Sequence, residues 1–368
     1  MKNTNISATL KELITARGGP CASLIIPVHE LPSGKPLDHI ALDHAVEKLR
    51  SQLNEKDELQ AGIITKVKLL AEQARNITGE SGVGIFASPS LARICTFPFE
   101  VQEKIHVNDS FEIRELVQKE RYTREYFVLL LGGNVTRLYK GKEGKLREYQ
   151  DINFPASFDG HEFELPVQTN QGDNALSPTR RETAVPTQSL TEFHNVLDAK
   201  LRDYLTDASV LILAGPEKES ALFLNQSAHA PKIKGKVAGS YSAFNMNELE
   251  KKCWNALKLD LKKNQMQLID RLREQGPAFV SAGLRDVWRS AREGKGNILL
   301  VEKGLEVPAY LGMDDYSIEL TPSRHDQPMI VDAVDSIVET VIEKNGCVVF
   351  VENGLLKDYQ RIALMNRY

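Results

Sequence analysis

Tyr126-Phe-Val-Leu-Leu-Leu131 is apolar at every position, and no other feature constrains the fold as tightly. A strand with one face in water alternates apolar and polar residues, whereas a strand covered on both faces reads as a continuous apolar run. The segment therefore predicts the interior of a sheet with helices on its two sides. Gly132-Gly133-Asn134 turns the chain into Val135–Tyr139, and Gly141 and Gly144 bracket a second turn before Leu146–Gln150, so three hairpin-linked strands form a meander. From about Asn153 to Thr187 the chain is rich in Pro, Gly, Asn, Thr and acids without a sustained period. A loop of that length in a compact domain is uncommon and is either functional or disordered. A helix from about Gln188, a strand Val210–Gly215, a helix Glu217–Ser227, a strand Lys232–Ala238 and a long amphipathic helix from about Asn247 to Arg273 complete this stretch.

Mixed α/β patterns flank it. Before it, Ile6, Leu10, Leu13 and Ile14 lie on one helical face, Gly18-Gly19-Pro20 stops that helix, and Cys21–Val28 is a short buried strand. A helical pattern then runs from about Leu37 to Ile77 with a charged break at Glu55-Lys-Asp-Glu58, followed by strands Gly82–Ala87 and Leu91–Phe97. After it come a helix Leu284–Arg292, a strand Asn297–Val301, an irregular piece, a helix carrying Ile330, Val334, Ile337, Val341 and Ile342, and strands Cys347–Val351 and Ile362–Tyr368. The reading is an α/β (α+β) chain of three domains: 1–123, with a mixed sheet; 124–275, a central sheet flanked by helices and carrying the loop 153–187; and 276–368, an α/β/α sandwich. Its 368 residues exceed what one ordinary core holds.

Charge and cysteine usage narrow the classes. Lys plus Arg number 46 against 50 Asp plus Glu, a formal charge of −4, which excludes a wholly basic surface but not a local basic face. Cys21, Cys95, Cys253 and Cys347 are scattered, so neither a disulfide framework nor a zinc site is expected. The N-terminus reads as a helix rather than a signal peptide, and no apolar run approaches the roughly 18 residues of a membrane span. A soluble cytoplasmic protein is the expectation, with no cofactor and no metal. Gly294-Lys-Gly296 lies between a helix and a strand, the reverse of a phosphate loop, and no nucleophile elbow or zinc helix is present. His39 and His44 are five apart, the wrong helical spacing for joint ligation, and Asp314-Asp315 reads as a solvated acidic turn.

The order of units resembles bacterial relatives of the archaeal and eukaryotic class-1 peptide release factors and Pelota proteins, the bacterial archaeo-eukaryotic release factor family. Leu10-Lys-Glu-Leu-Ile-Thr-Ala-Arg-Gly18 leading into Cys21–Pro27 is similar to the start of their first domain. Phe127–Leu131, Val135–Tyr139, the long loop and Leu211–Pro216 match their central domain. Ile298–Leu305 and Ile362–Tyr368 are similar to their Pelota-like C-terminal α/β/α domain, a fold shared with RNA-binding ribosomal proteins. The resemblance implies a ribosome- or RNA-associated translation factor with a rescue, hibernation or stress role, and a translational GTPase as partner. In the family the central loop carries Gly-Gly-Gln, which positions water for peptidyl-tRNA hydrolysis. Here that tripeptide is missing. The nearest approach is Asn170-Gln171-Gly172, which makes Gln171 and Gly172 the candidates for the loop tip. Asp151, Asp159, Glu162, Glu164 and Asp173 precede Arg180-Arg181, and an acidic tip is repelled by the phosphates of a ribosomal active site. The family's codon-reading Asn-Ile-Lys-Ser is also missing; Gly62-Ile-Ile-Thr-Lys66 lies in that region without the asparagine or serine.

Candidate RNA contacts are Arg180 and Arg181, which correspond to basic residues after the family loop, and Lys232, Lys234, Lys236, Lys251 and Lys252. The last five belong to a stretch, Pro231–Gln275, with ten basic and five acidic residues, net +5, and Trp254 nearby. The competing assignment for each is a solvated surface charge, with Trp254 in the core. Two other functions stay open: a metal-assisted hydrolase of RNA or nucleotides built from the acidic loop with His161 or His194, and a non-enzymatic module that docks a basic protein. The oligomeric state is not legible.

Overall fold

The computed structural model describes residues 7–16, 19–28, 39–77, 80–132, 135–158, 187–241 and 245–367. The protein is a mixed α/β chain of two compact units, one made of Met1–Tyr122 with Gln265–Tyr368 and one of Thr123–Asn264.

The first unit opens with α1 (Ala8–Thr15), β1 (Cys21–Pro27), α2 (His39–Ser51), α3 (Glu58–Ala74), β2 (Gly82–Ala87), β3 (Ala92–Phe97), β4 (Lys104–Asn108) and α4 (Arg114–Tyr122). The charged break foreseen at 55–58 separates two helices: Asp57 caps α3 by accepting hydrogen bonds from the Leu59 and Gln60 N–H groups at 2.9 and 3.1 Å. Strand β4 and helix α4 are additions to the pattern read from sequence. The four antiparallel strands lie in the order β3-β2-β1-β4. Leu24, Ile26, Val83 and Ile85 pack on α2 and α3, while Ile25 and Phe86 face the opposite side.

The second unit holds β5 (Tyr126–Leu130), β6 (Val135–Lys142), β7 (Lys145–Glu148), β8 (Ala156–Ser157), α5 (Thr187–Lys200), β9 (Leu211–Gly215), α6 (Glu217–Gln226), β10 (Ile233–Ala238) and the start of α7 (Met246–Glu274). Its sheet runs β10-β9-β5-β6-β7, with β8 against β6; β5, β9 and β10 are parallel and the meander is antiparallel. The apolar run behaves as its composition demands. Phe127, Leu129 and Leu131 join Leu197, Leu201 and Phe223 under α5 and α6, and Tyr126, Val128 and Leu130 join Leu249, Cys253 and Leu257 under α7. Gly141, opposite Tyr126 in the ladder, is fixed by close approach: a Cβ there would lie 2.3 Å from the Tyr126 ring.

The chain returns to the first unit with the end of α7, then β11 (Val280–Ala282), α8 (Leu284–Arg292), β12 (Gly296–Glu302), β13 (Ala309–Leu311), β14 (Ile318–Glu319), β15 (Met329–Ile330), α9 (Ala333–Glu343), β16 (Cys347–Val351) and β17 (Ile362–Asn366). A four-stranded sheet, β11-β17-β12-β16, is covered on one face by α8 and α9 and on the other by Leu268, Ile269 and Leu272 of α7. The piece read as irregular contains a small sheet, β14-β13-β15. Glu302, 2% exposed, accepts the Gly354 and Leu356 N–H groups at 2.8 and 2.9 Å and Arg361 Nε at 2.9 Å, which fixes the turn before β17.

One apolar cluster runs from Leu10, Phe111 and Ile113 through to Trp288, Val334 and Val338, so the first and last stretches share a core. Beside it lies a buried ion network. Lys104 Nζ sits 3.2 Å from Glu112 and Glu115 and 3.0 Å from Glu306. Arg114 contacts Asp332 directly, donates to the Leu305 carbonyl at 2.6 Å, and lies 3.7 Å from Asp335. Asp332 also caps α9 through the Val334 N–H at 3.0 Å and accepts the Val307 N–H at 3.1 Å. Burial, then the neighbouring Glu112, push Asp335 well above the ordinary carboxylate range, with Arg114 opposing them only in part. Burial raises Glu115 in the same direction. For Lys104 burial works against the charge, but Glu115 and Glu112 outweigh it and hold the ammonium protonated.

Candidate nucleic-acid interface

The loop-tip candidates Gln171 and Gly172, the pair Arg180-Arg181, and His161 with Asp159, Glu162, Glu164 and Asp173 lie outside the described residues. The loop's N-terminal anchor is described. Asp151 accepts the Tyr204 hydroxyl at 2.7 Å and the Asn153 and Phe154 N–H groups at 2.9 and 3.0 Å. The Tyr204 bond above all keeps its carboxyl below the usual range. Asp151 is thus a turn-forming residue, and Phe154 behind it is fully buried.

His194, a proposed metal ligand, is fully buried on α5, its ring edge-on to Phe223 at 5.4 Å and its Nε2 3.7 Å from Glu219. That side chain faces the α5–α6 core and is closed to substrate. Among the described residues no group of three or more His, Cys, Asp or Glu is placed to hold a metal ion. Asp198, Ser227 and His229 do meet, but Asp198 takes both partners: the Ser227 hydroxyl, and His229 Nδ1 at 3.0 Å. A nucleophile needs the imidazole between it and the acid. This trio is a clamp holding the end of α6 to α5. Burial opposes the Asp198 charge, yet the bonds from Ser227, His229 and the Ala228 N–H keep its carboxyl below the usual range.

Other sequence candidates resolve as structural. Lys66 donates to the Ser88 and Pro89 carbonyls at 2.9 and 2.6 Å, so it ties α3 to the β2–β3 turn. Asp314 accepts the Tyr316 N–H at 3.0 Å and the Ser317 hydroxyl at 2.7 Å, a turn as expected. His39 and His44 are exposed. Gly132 begins the β5–β6 turn, its carbonyl accepting the Val135 N–H at 2.8 Å.

The lysine candidates divide between two faces. In β10, Lys236 is opposite Leu213, on the α5–α6 side of the sheet, whereas Gly235 and Val237 are opposite Ile212 and Ala214, on the α7 side. A Cβ at Gly235 would lie 3.0 Å from Ala256 of α7. Lys234 occupies a register shift between Ile233 and Gly235. A bulge and lysines on an edge strand are devices against strand pairing. Lys232 lies 3.8 Å from Asp207, and its side chain is 21% exposed. On α7, Lys251 and Lys252 are exposed; Lys252 pairs with Glu248 at 2.8 Å and lies over the Tyr241 ring. Glu250 is occupied by Lys145 at 3.2 Å and by the Leu146 N–H at 2.9 Å. Trp254 is half-buried, 6.3 Å from the Tyr126 ring and against Gly144, with Lys258 over its own ring at 5.6 Å. The lysines of the basic stretch Pro231–Gln275 therefore lie on two surfaces. Lys258, Lys262 and Lys263 are among the ten basic residues of Pro231–Gln275. The spacing Leu249, Cys253, Leu257 was the signal that puts Lys258 and Lys262 on the solvent side with Lys251.

The unit Thr123–Asn264 is thus a two-sided sheet with a three-stranded meander, flanked by α5 and α6 on one side and α7 on the other. Residues 125–295 match the family model described as bacterial archaeo-eukaryotic release factor family 3. Among solved structures, Archaeoglobus fulgidus Pelota is 17% identical, with 76% of this chain and 77% of that one covered at a TM-score of 0.38. Dom34 of S. cerevisiae, described as a translation termination-like factor interacting with Hbs1, is 12% identical over 81% and 77% of the two chains, TM-score 0.39. An archaeal Pelota in a ribosome-bound model with ABCE1 is 11% identical over 100% and 95%, TM-score 0.40. At these scores the likenesses assign no role to any residue. No curated protein matches the chain.

Proposed function

We propose that this chain is a ribosome-associated translation factor of release-factor architecture, with a rescue, hibernation or stress role, that works without Gly-Gly-Gln-dependent peptidyl-tRNA hydrolysis. The observation that carries the reading is the family match over 125–295, a span whose long loop in this chain contains no Gly-Gly-Gln. The hydrolase alternative has lost His194, which is buried against Glu219. The proposal includes a three-domain organisation, a cytoplasmic location and a translational GTPase partner; no helix among the described residues is long and apolar enough to cross a membrane. RNA contact falls to exposed lysines, because phosphate attraction needs cations that carboxylates have not neutralised.

Co-sedimentation with purified bacterial ribosomes tests the reading. The expected result is binding at low salt that weakens steeply as salt rises and that nuclease digestion of the ribosomal RNA abolishes. A chain found only in the soluble fraction at low salt overturns it. Binding that survives nuclease would instead indicate a protein-docking module. Stalled ribosomes carrying peptidyl-tRNA are expected to keep their nascent chain; release that falls in Gln171→Ala would overturn the non-hydrolytic part.

A further inference from the structure

Helix α7 presents one line to the core and another to water. Leu249, Cys253 and Leu257 recur every four residues and are buried under the sheet. At 3.6 residues per turn, Lys251, Asn255, Lys258 and Lys262 fall on the opposite side, within an arc of about 60°. All four are exposed. No carboxylate of the helix falls in that arc: Glu248, at its margin, is held by Lys252, Glu250 by Lys145 and Leu146, and Asp260 by the Asn264 amide at 3.0 Å. Lys251, Lys258 and Lys262 have no carboxylate partner among the described residues. Lys258 and Lys262 are an i,i+4 pair of like charge, an arrangement that weakens a helix slightly rather than supporting it. Edge protection, which accounts for Lys234 and Lys236, has no meaning on a helix. From Lys251 to Lys262 the line extends about 16 Å.

We infer that the line Lys251, Lys258 and Lys262 is the surface with which this chain holds RNA, through phosphates and without reading bases. The inference rests on the ribosome-associated reading above and adds to it the face and the chemistry of contact. Ammonium groups on flexible stems suit phosphates as point charges and lack the planar fork that selects a base edge. Trp254 is half-buried on Tyr126 and Gly144 and lies beneath the Lys258 ammonium at 5.6 Å.

The test measures binding of the full chain to purified bacterial ribosomes as salt is varied between about 50 and 200 mM. Wild type is compared with Lys251→Gln/Lys258→Gln/Lys262→Gln, and with Lys295→Gln/Lys303→Gln/Lys357→Gln, which changes the net charge equally elsewhere. The α7 triple is expected to lose about 10- to 100-fold in affinity at low salt, and its slope of log K against log salt to flatten by about 2 to 3. The control triple keeps the wild-type slope, and Arg at the three α7 positions restores binding. An α7 triple that keeps the wild-type slope while wild type binds overturns the inference and leaves the ribosome reading intact. So does a loss of slope in Lys234→Gln/Lys236→Gln in place of the α7 triple. If wild type itself fails to bind at low salt, the ribosome reading fails. An unchanged thermal midpoint in the α7 triple separates lost contact from lost fold.

Discussion

Arg114 and Lys258 are both cations, and the fold uses them in opposite ways. Arg114 is 4% exposed, in contact with Asp332, near Glu112 and Asp335, and bonded to the Leu305 carbonyl. Lys258 stands in water on α7 with a ring beneath it and no carboxylate partner among the described residues. Desolvation makes the difference. Removing a guanidinium from water is expensive, so every remaining interaction of Arg114 must be made inside the protein, and losing one strands another. An exposed ammonium keeps its hydration, adds almost nothing to stability, and remains available to a partner. The buried network holds the first and last stretches of the chain together; Lys251, Lys258 and Lys262 have no carboxylate partner among the described residues.

The largest expected effect breaks the buried side of this contrast. Arg114→Met leaves Asp332 and Glu112 with uncompensated charge and is expected to destabilise the chain by about 3–5 kcal/mol in denaturant unfolding. A loss below about 1 kcal/mol would mean that the network is dispensable. Next comes Glu302, which answers two backbone N–H groups and Arg361 from a buried position. Glu302→Ala leaves those donors unmet and is expected to cost about 2–3 kcal/mol, with faster hydrogen exchange at Gly354 and Leu356.

Two carboxylates sharpen the contrast through pH. Asp335 is raised above its unfolded value, so above about pH 4 the folded chain holds a proton that the unfolded chain has lost. Its contribution therefore falls as pH rises through that window, by up to about 1.4 kcal/mol per pH unit, and Asp335→Asn should flatten the profile on the alkaline side. Asp198 is lowered, so its contribution is present above the ordinary carboxylate range and disappears as pH falls through its folded value. Asp198→Asn should flatten the acid side. Stability curves from pH 3 to 9 that coincide for wild type and both variants would contradict these assignments. The smallest effect concerns thiols. Burial pushes Cys253 up to about 12 and also raises Cys95, and Cys21 is buried as well, whereas Cys347 is half-exposed. Mass spectrometry after brief maleimide treatment should find Cys347 modified first in the folded chain and all four cysteines after unfolding.

Local pattern made most of the architecture legible. The two-sided strand, the meander, the charged break between α2 and α3 and the long helix follow from periodicity and turn chemistry within a few tens of residues. Strand β4 and the small β14-β13-β15 sheet were not legible, because both are short and rely on pairing with distant residues rather than on their own period. The candidate interface was legible as composition only. A net +5 stretch does not say that Lys236 lies on the α5–α6 side of the sheet while Lys251 lies on the outer face of α7. That division depends on one register shift in β10 and on which line of α7 meets the sheet.

What the sequence by itself determined is therefore the layered α/β plan, the family likeness, the missing Gly-Gly-Gln and the acidic composition of the central loop. These are properties of residue type and local spacing. The tertiary structure alone decided which charges are consumed and which remain available. It closed His194 against Glu219 and committed Lys66 to two carbonyls. It gathered Lys104 and Arg114 with acids more than 190 residues away, and left one line of α7 lysines without a carboxylate partner among the described residues. Charge neutralisation acts through space at a few ångströms, between residues that the fold brings together, so it has no period to read along the chain.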